Sequence, residues 1–440
     1  MKYLKPFPMK DMSILLRDGI IATQNQSREI VEGDLYIEDG RIIEIGRSNN
    51  EADHVIDCSG KVVIPGMINT HNHVANTLLR GFADDVHLHE MLEKTFEFDA
   101  KVTRRDVQVG ALLGCLEMIK SGTTTFVDLF YWEDEVARAV REAGMRAYLG
   151  WAVLDEEIST QRGTPLDNCA AFISKHRNED LITPLVSLMG VYVCSEETLL
   201  AGKQLAEKED VMLHMHLSET RKEVYDHQKK TSERPIEWLS KIGFLTERLL
   251  AAHIGWVTIG EVRMLAEKDV KVSHCPVSNM KLATGGVAPL PEMFENGVTV
   301  SLGTDSPVSN NSLDMFETMK FCALLHKADR WDARVFDAQK VFDLATVDGA
   351  RALGMEDDIG SIEIGKRADI AVLDFASPMT TPYDKFRIVS HLVYSCNGAN
   401  VTTTIVDGNI VVDQGKATGL KEEMIYDRAN EIAIELFEEE

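Results

Sequence analysis

The sequence predicts an α/β fold, a TIM-type (β/α)8 barrel carrying a β-sandwich built from both chain ends. Three observations point there. Through the middle of the 440 residues, eight short apolar strands alternate with helical segments of about 10–20 residues, the rhythm of a parallel sheet. At both ends the rhythm is β alone. The first, fifth, sixth and eighth middle strands end in a candidate His or Asp, and barrel enzymes carry their reactive groups where strands end.

From Met12 to about Ile64, Ser13-Ile-Leu-Leu-Arg, Gly19-Ile-Ile-Ala-Thr, the long run from Gly33 to Gly46 and His54-Val-Ile-Asp read as strands between turns. The barrel is expected over residues 65–362, with strands ending at His73, Asp128, Val153, Val193, His216, His253, His274 and Asp305. After about Ile362, Ala368-Asp-Ile-Ala-Val-Leu-Asp and the run from Val401 to Val412 return to β. Residues 12–64 and 363–418 are therefore expected to form one composite sandwich, with 419–440 a charged amphipathic helix from about Lys421 to Glu440. The first eleven residues lack the long apolar run of a signal peptide and are expected to be a loose extension.

Lys plus Arg number 46 against 71 Asp plus Glu, a formal net charge of −25. Such a surface repels phosphate backbones and anionic lipid, which argues against nucleic acid and membrane as partners. No stretch approaches the length of a membrane span. The seven cysteines are odd in number and show no CxxC spacing, which points away from a disulfide framework and towards the cytoplasm.

Along a strand, residues i and i+2 face the same side, so His71 and His73 can share one metal ion. His87-Leu-His89 has the same spacing but falls in a loop or helix start and reads as surface. In Val211-Met-Leu-His214-Met-His216-Leu-Ser-Glu219, His216 ends the strand and is the better ligand, while His214 lies one layer deeper as a core histidine. Leu250-Ala-Ala-His253 and Val298-Thr-Val-Ser-Leu-Gly-Thr-Asp305 are two further apolar strands with a polar end. A candidate site of His71, His73, His216 and Asp305 as ligands follows, with Glu219 and His253 beside them.

His-Asn-His after Pro-Gly, His-Leu-Ser-Glu, Ala-Ala-His, Ser-His-Cys-Pro-Val-Ser-Asn and Leu-Gly-Thr-Asp-Ser together resemble the amidohydrolase superfamily. More narrowly they resemble its methylthioadenosine/S-adenosylhomocysteine deaminase and triazine hydrolase (chlorohydrolase) branch, from about Ser13 to Gly415. The segment Pro184–Cys194 holds no lysine to bridge two metals, so one ion is expected. Three imidazoles and a carboxylate suit Zn²⁺, and Fe²⁺ accepts the same set. Zinc of this kind makes its water acidic enough to act near neutral pH. The resemblance implies that Asp305 takes the proton of that water, that His253 orients it, and that Glu219 carries a proton to a ring nitrogen. The expected reaction is hydrolytic deamination of an amino-substituted nitrogen heterocycle. Chloride loss from a triazine-type ring is the alternative, and a scaffold barrel without activity is a remote one, since such a barrel should lose ligands. The resemblance also implies a homo-oligomer.

On the substrate side the pattern departs. The branch has a Trp where this chain has Met91, and a ribose-binding Glu near Asp99. Its arginine after strand three is matched by Trp151, and its Gly-Pro-His is replaced around Met189. Met91, Asp99, Trp151 and Met189 are candidate substrate contacts, with His274 at the end of strand seven. The substitutions imply a flatter, more apolar pocket for a free base, a pterin- or triazine-like ring, or a modified nucleoside.

Overall fold

The computed structural model describes residues 12–160 and 163–437; the expectation for residues 1–11 lies outside them. Barrel strands one to eight are Met67–Asn72, Thr123–Phe130, Arg146–Val153, the pair Ile182–Pro184 and Val186–Leu188, Leu213–Leu217, Leu249–His253, Lys271–His274 and Val300–Leu302. Each pairs in parallel with the next. Helices cover the outside, so strands such as Thr-Thr-Thr-Phe-Val-Asp-Leu-Phe are buried on both faces and read as continuous apolar or small runs.

The ring closes between strands eight and one through polar contacts. Asp305 N–H donates to His71 O at 3.0 Å, Thr304 N–H to Asn69 Oδ1 at 3.0 Å, and Thr70 Oγ1–H to Leu302 O at 2.9 Å. Pairing register fixes the inner face. Ala152 pairs with Ser187, Ser187 with His214, His216 with Ala252, Ala252 with Ser273, and Ser273 with Ser301. Neighbours in register share a face, so these side chains all point inward.

Two strand ends differ from expectation by three residues or more. Strand four stops at Leu188 rather than Val193, because Gly190 at φ 150° turns the chain and Val193 N–H bonds back to Gly190 O. Strand eight stops at Leu302, and Asp305 follows it on the closing loop.

Strands from the two ends join in one nine-stranded sheet. Its seam is Lys61–Pro65 running antiparallel to Ile370–Asp374, with Val63 opposite Val372. Ile14, Leu35, Ile37, Val63, Ile370, Val372 and Ile405 form its separate apolar core. A buried ion group ties it to the barrel: Arg146, on strand three, reaches Asp369 at 3.1 Å and Asp407 at 3.3 Å. The last helix, Glu422–Phe437, packs back on the helix Arg104–Lys120, with Lys120 Nζ 2.6 Å from Glu422. Among the described residues, no helix is long and apolar enough to cross a membrane.

Candidate active site

At the C-terminal mouth of the barrel the structure brings together all six residues of the expected centre. His73 Nε2 lies 3.1 Å from His216 Nε2. Asp305 Oδ1 lies 3.3 Å from His71 Nε2 and 3.5 Å from His73 Nε2. His253 Nε2 is 3.8 Å from Glu219 Oε2. Every one of these side chains is buried.

The second ring nitrogens show what the first ones are for. His73 Nδ1 donates to Leu129 O at 2.7 Å, and His216 Nδ1 donates to Met189 O at 2.6 Å. Each carbonyl can only accept, so both Nδ1 atoms carry the proton and, in the neutral rings, both Nε2 atoms present lone pairs. Burial drives His73 down and His216 well below the usual histidine range, which keeps them neutral. Two lone pairs at 3.1 Å then face each other with no proton between them, an arrangement that a cation relieves. His71 Nε2 is buried with no hydrogen-bond partner, while its Nδ1 lies 3.0 Å from His214 Nε2. Burial lowers His71 to about 4, against the opposing pull of Asp305. The donor set and its charge therefore fit one divalent metal ion, with a second shell already ordered.

Asp305 is fixed from outside. Ser278 and Ser309 hydroxyls donate to Oδ2, and Ser306 N–H donates to Oδ1 at 2.7 Å. Burial alone would raise its carboxyl, but the His71 contact and the nearby imidazoles hold it well below the usual range. His253 Nδ1 donates to Asn279 Oδ1 at 3.1 Å, which turns Nε2 to the mouth. Burial works against its protonation, yet Glu219 and Asp305 raise it overall. Glu219 is pushed up to about 7 by burial, with His253 opposing. Its backbone N–H is held by Glu223 Oε2 at 2.8 Å.

The backbone is bent to make this centre. Ser218, His253, Ile254 and Asp305 have φ of 51°, 76°, 49° and 62°, left-handed values that cost about 1–3 kcal/mol each for residues with a Cβ. At strand six the reason is geometric. Ala252 faces inward, so His253 would face the helices by alternation; the left-handed turn swings it over the mouth instead.

A cavity lies above the centre. His73, His216, Glu219, His253 and Asp305 form its floor, and Leu88, Met91, Leu92, Leu129, Phe130 and Met189 its apolar walls. Met91, Asp99 and Met189 thus line it as expected substrate contacts would. Asp99 Oδ1 is buried without a partner, and burial raises this carboxyl to about 8. Trp151 and His274 do not line it. Ala152 and Ser273 take the inner face at those levels, so their chain neighbours point out to the helices. Trp151 packs against Trp132 with ring centroids 6.1 Å apart, and His274 Nε2 meets His326 Nε2 at 3.2 Å. His87 and His89 are exposed.

The sequence assigns no role to Ser278, Asn279 or Glu223, whereas Ser309-Asn310-Asn311 reads as shaping the loop around the metal. Ser278 and Asn279 belong to the Ser-His-Cys-Pro-Val-Ser-Asn motif. Pro276 opens a short helix, Pro276–Lys281, that carries both back to the mouth.

Residues 62–411 match the Amidohydrolase family. The chain belongs to that family. It is 40% identical over 428 residues to the 5'-deoxyadenosine deaminase of Methanosarcina acetivorans, covering 96% of this chain and 98% of the relative. It is 42% identical over 407 residues to the 5-methylthioadenosine/S-adenosylhomocysteine deaminase of Thermococcus sibiricus, covering 91% and 94%. Its fold matches that of an adenosine deaminase from Xanthomonas campestris with bound zinc, at TM-score 0.93 and 28% identity, over 98% and 99% of the two chains. Family and relatives make this amidohydrolase a hydrolytic deaminase.

Proposed function

We propose that this amidohydrolase converts an adenine nucleoside with an apolar 5′ position to the corresponding inosine-type product and ammonia, using one zinc ion. The observation that carries the substrate reading is Asp99. Its Oδ1 is buried without a hydrogen-bond partner beside the apolar Leu88, Met91 and Leu92, and an unpaired polar atom is costly until a ligand satisfies it. A ribose diol can both donate to and accept from such a carboxyl, which burial holds largely protonated near neutrality. The neighbouring Leu88, Met91, Leu92 and Phe130 offer nothing polar to a 5′ hydroxyl and accept a methyl or thioether instead. The relatives described above carry the names of deaminases of 5'-deoxyadenosine and of 5-methylthioadenosine/S-adenosylhomocysteine.

His71, His73, His216 and Asp305 would hold the zinc, which when bound supplies the Lewis acidity that makes a water nucleophilic at neutral pH. Asp305 accepts a proton at its Oδ1 edge, because Ser278 and Ser309 occupy Oδ2. His253 stabilises developing negative charge through Nε2. Glu219, protonated near neutrality, donates to the purine ring nitrogen beside the amino-bearing carbon. That protonation makes the carbon electrophilic; the water oxygen bonds to it, the proton taken by Asp305 passes to the amino nitrogen, the C–N bond breaks, ammonia leaves, and loss of the hydroxyl proton back to Glu219 gives the ring carbonyl.

The test is ammonia release by zinc-loaded protein with 5'-deoxyadenosine, 5-methylthioadenosine, S-adenosylhomocysteine, adenosine and free adenine. We expect the highest kcat/KM for 5'-deoxyadenosine or 5-methylthioadenosine, and at least tenfold less for adenine. Equal or faster turnover of the free base would overturn the reading.

A further inference from the structure

A second cluster of ligating atoms is buried outside the active site. His274 ends barrel strand seven. Its neighbour Ser273 faces the lumen and bonds Thr70 Oγ1 at 2.7 Å, so alternation turns His274 outward against the helix Met315–Arg330. That helix presents Cys322 and His326 at i and i+4, hence on one face. The ligating atoms of His274, Cys322 and His326 lie within 4.8 Å of one another. Their exposures are 2%, 0% and 0%.

The two imidazoles are poorly satisfied without a ligand. A single hydrogen bond can join the facing Nε2 atoms at 3.2 Å, and Nδ1 of both rings is buried without a partner. Burial also drives both rings towards the neutral form, His326 to about 4. Each ring therefore has a lone pair to give, and the thiol supplies a soft third donor.

Charge selects the ion. With Cys322 ionised, a divalent cation would leave one net positive charge in the core, whereas a monovalent one leaves none. The nearby Arg330 and Glu292 already neutralise each other at 2.7 Å, so neither is free to compensate. An uncompensated buried charge costs several kcal/mol. Two imidazoles and one thiolate are a set that soft d10 copper favours. His274 also lines a cavity that opens past the exposed Ala283 and Gly285 and is shared with His253 and Asn279, so solvent reaches the cluster from the His274 side.

We propose that His274, Cys322 and His326 form a site for a soft monovalent cation, with Cu⁺ as its ligand type, distinct from the catalytic centre. Binding exchanges the Cys322 S–H proton for the metal: Cys–SH and Cu⁺ give Cys–S–Cu and one released proton. The bound ion would pin the end of strand seven to the helix Met315–Arg330.

The experiment titrates the zinc-loaded holoenzyme anaerobically with Cu⁺ against a chromophoric chelator and records copper-edge X-ray absorption. The expected result is one copper added per chain, zinc retained, with one sulfur and two nitrogen scatterers. Cys322→Ser and, separately, His326→Gln should each weaken that copper at least 100-fold, and Cys322→Ser should remove the sulfur scatterer while zinc content and deamination persist. Failure to take up copper, copper seen with nitrogen and oxygen neighbours alone, or copper that displaces zinc one for one would each overturn the proposal.

Discussion

Glu219 shows how one burial sets a pH limb. Its carboxyl is raised to about 7, so it holds a proton below that pH and loses it above. A donor is therefore lost as pH rises, and kcat/KM should fall through an alkaline limb centred near 7. Glu219→Gln cannot give up a proton, so it should lose about 10²–10⁴ in kcat while keeping its zinc, and the alkaline limb should vanish. Rate–pH profiles with metal analysis check this; a Gln variant with full kcat removes Glu219 from the chemistry. The residues at this scale were legible to different degrees. His71, His73, His216 and Asp305 sit at or just beyond apolar strands, where position alone gives them away. Trp151 lies two residues before a strand end and His274 at one, but alternation says only that neighbours face opposite sides. Which side is the lumen depends on pairing with Ser187 and Ala252 in other strands, and one strand's sequence does not carry that.

Among the elements, the loop after strand eight is under the tightest steric constraint. A Cβ on Gly303 would come within 2.7 Å of both His71 Cβ and Ser273 Oγ, and 3.0 Å of His71 N. Two of those atoms belong to strand one itself, so relief requires moving the strand that carries His71 and leads into His73. Gly303→Ala should cost about 1–3 kcal/mol of stability and, by displacing His71, weaken zinc by about 10–100-fold. Thermal unfolding of the apoprotein and chelator competition measure the two effects separately. An apo Tm and a zinc affinity both equal to wild type would show that strand one yields freely. The alternation of strands and helices was readable along the whole barrel because each element buries a regular apolar pattern. The end of strand four was not. Val191 and Val193 extend its apolar run, and the turn is made by Gly190 through backbone geometry that hydrophobicity does not report.

At the scale of the whole molecule, the barrel and the end-sheet are joined by a charged group buried between them. Arg146 is shared by Asp369 and Asp407, and Arg367 reaches Asp407 at 2.7 Å from the partly exposed side. Arg146→Met strands Asp369 with no cation of its own, and removing one partner of a buried pair costs about 3–5 kcal/mol. The urea midpoint should fall accordingly, with KM little changed because the group is remote from the cavity. An unchanged midpoint would mean that water replaces the guanidinium at no cost. The pairing of the two chain ends was anticipated from their β rhythm, but not the seam, since nothing in Lys61–Pro65 names Ile370–Asp374 as its partner. That seam has a consequence for how the chain is made. Synthesis is directional, and Lys61–Pro65 leaves the ribosome with one edge open. Its partner lies some 300 residues downstream, a wait of roughly 15–60 s at translation rates of about 5–20 residues per second. Throughout that interval the nascent chain exposes an apolar β edge, the surface most prone to pair with a stranger. Yield in the cell should therefore depend on chaperones that shield the early strands until the last quarter of the chain arrives to cover them.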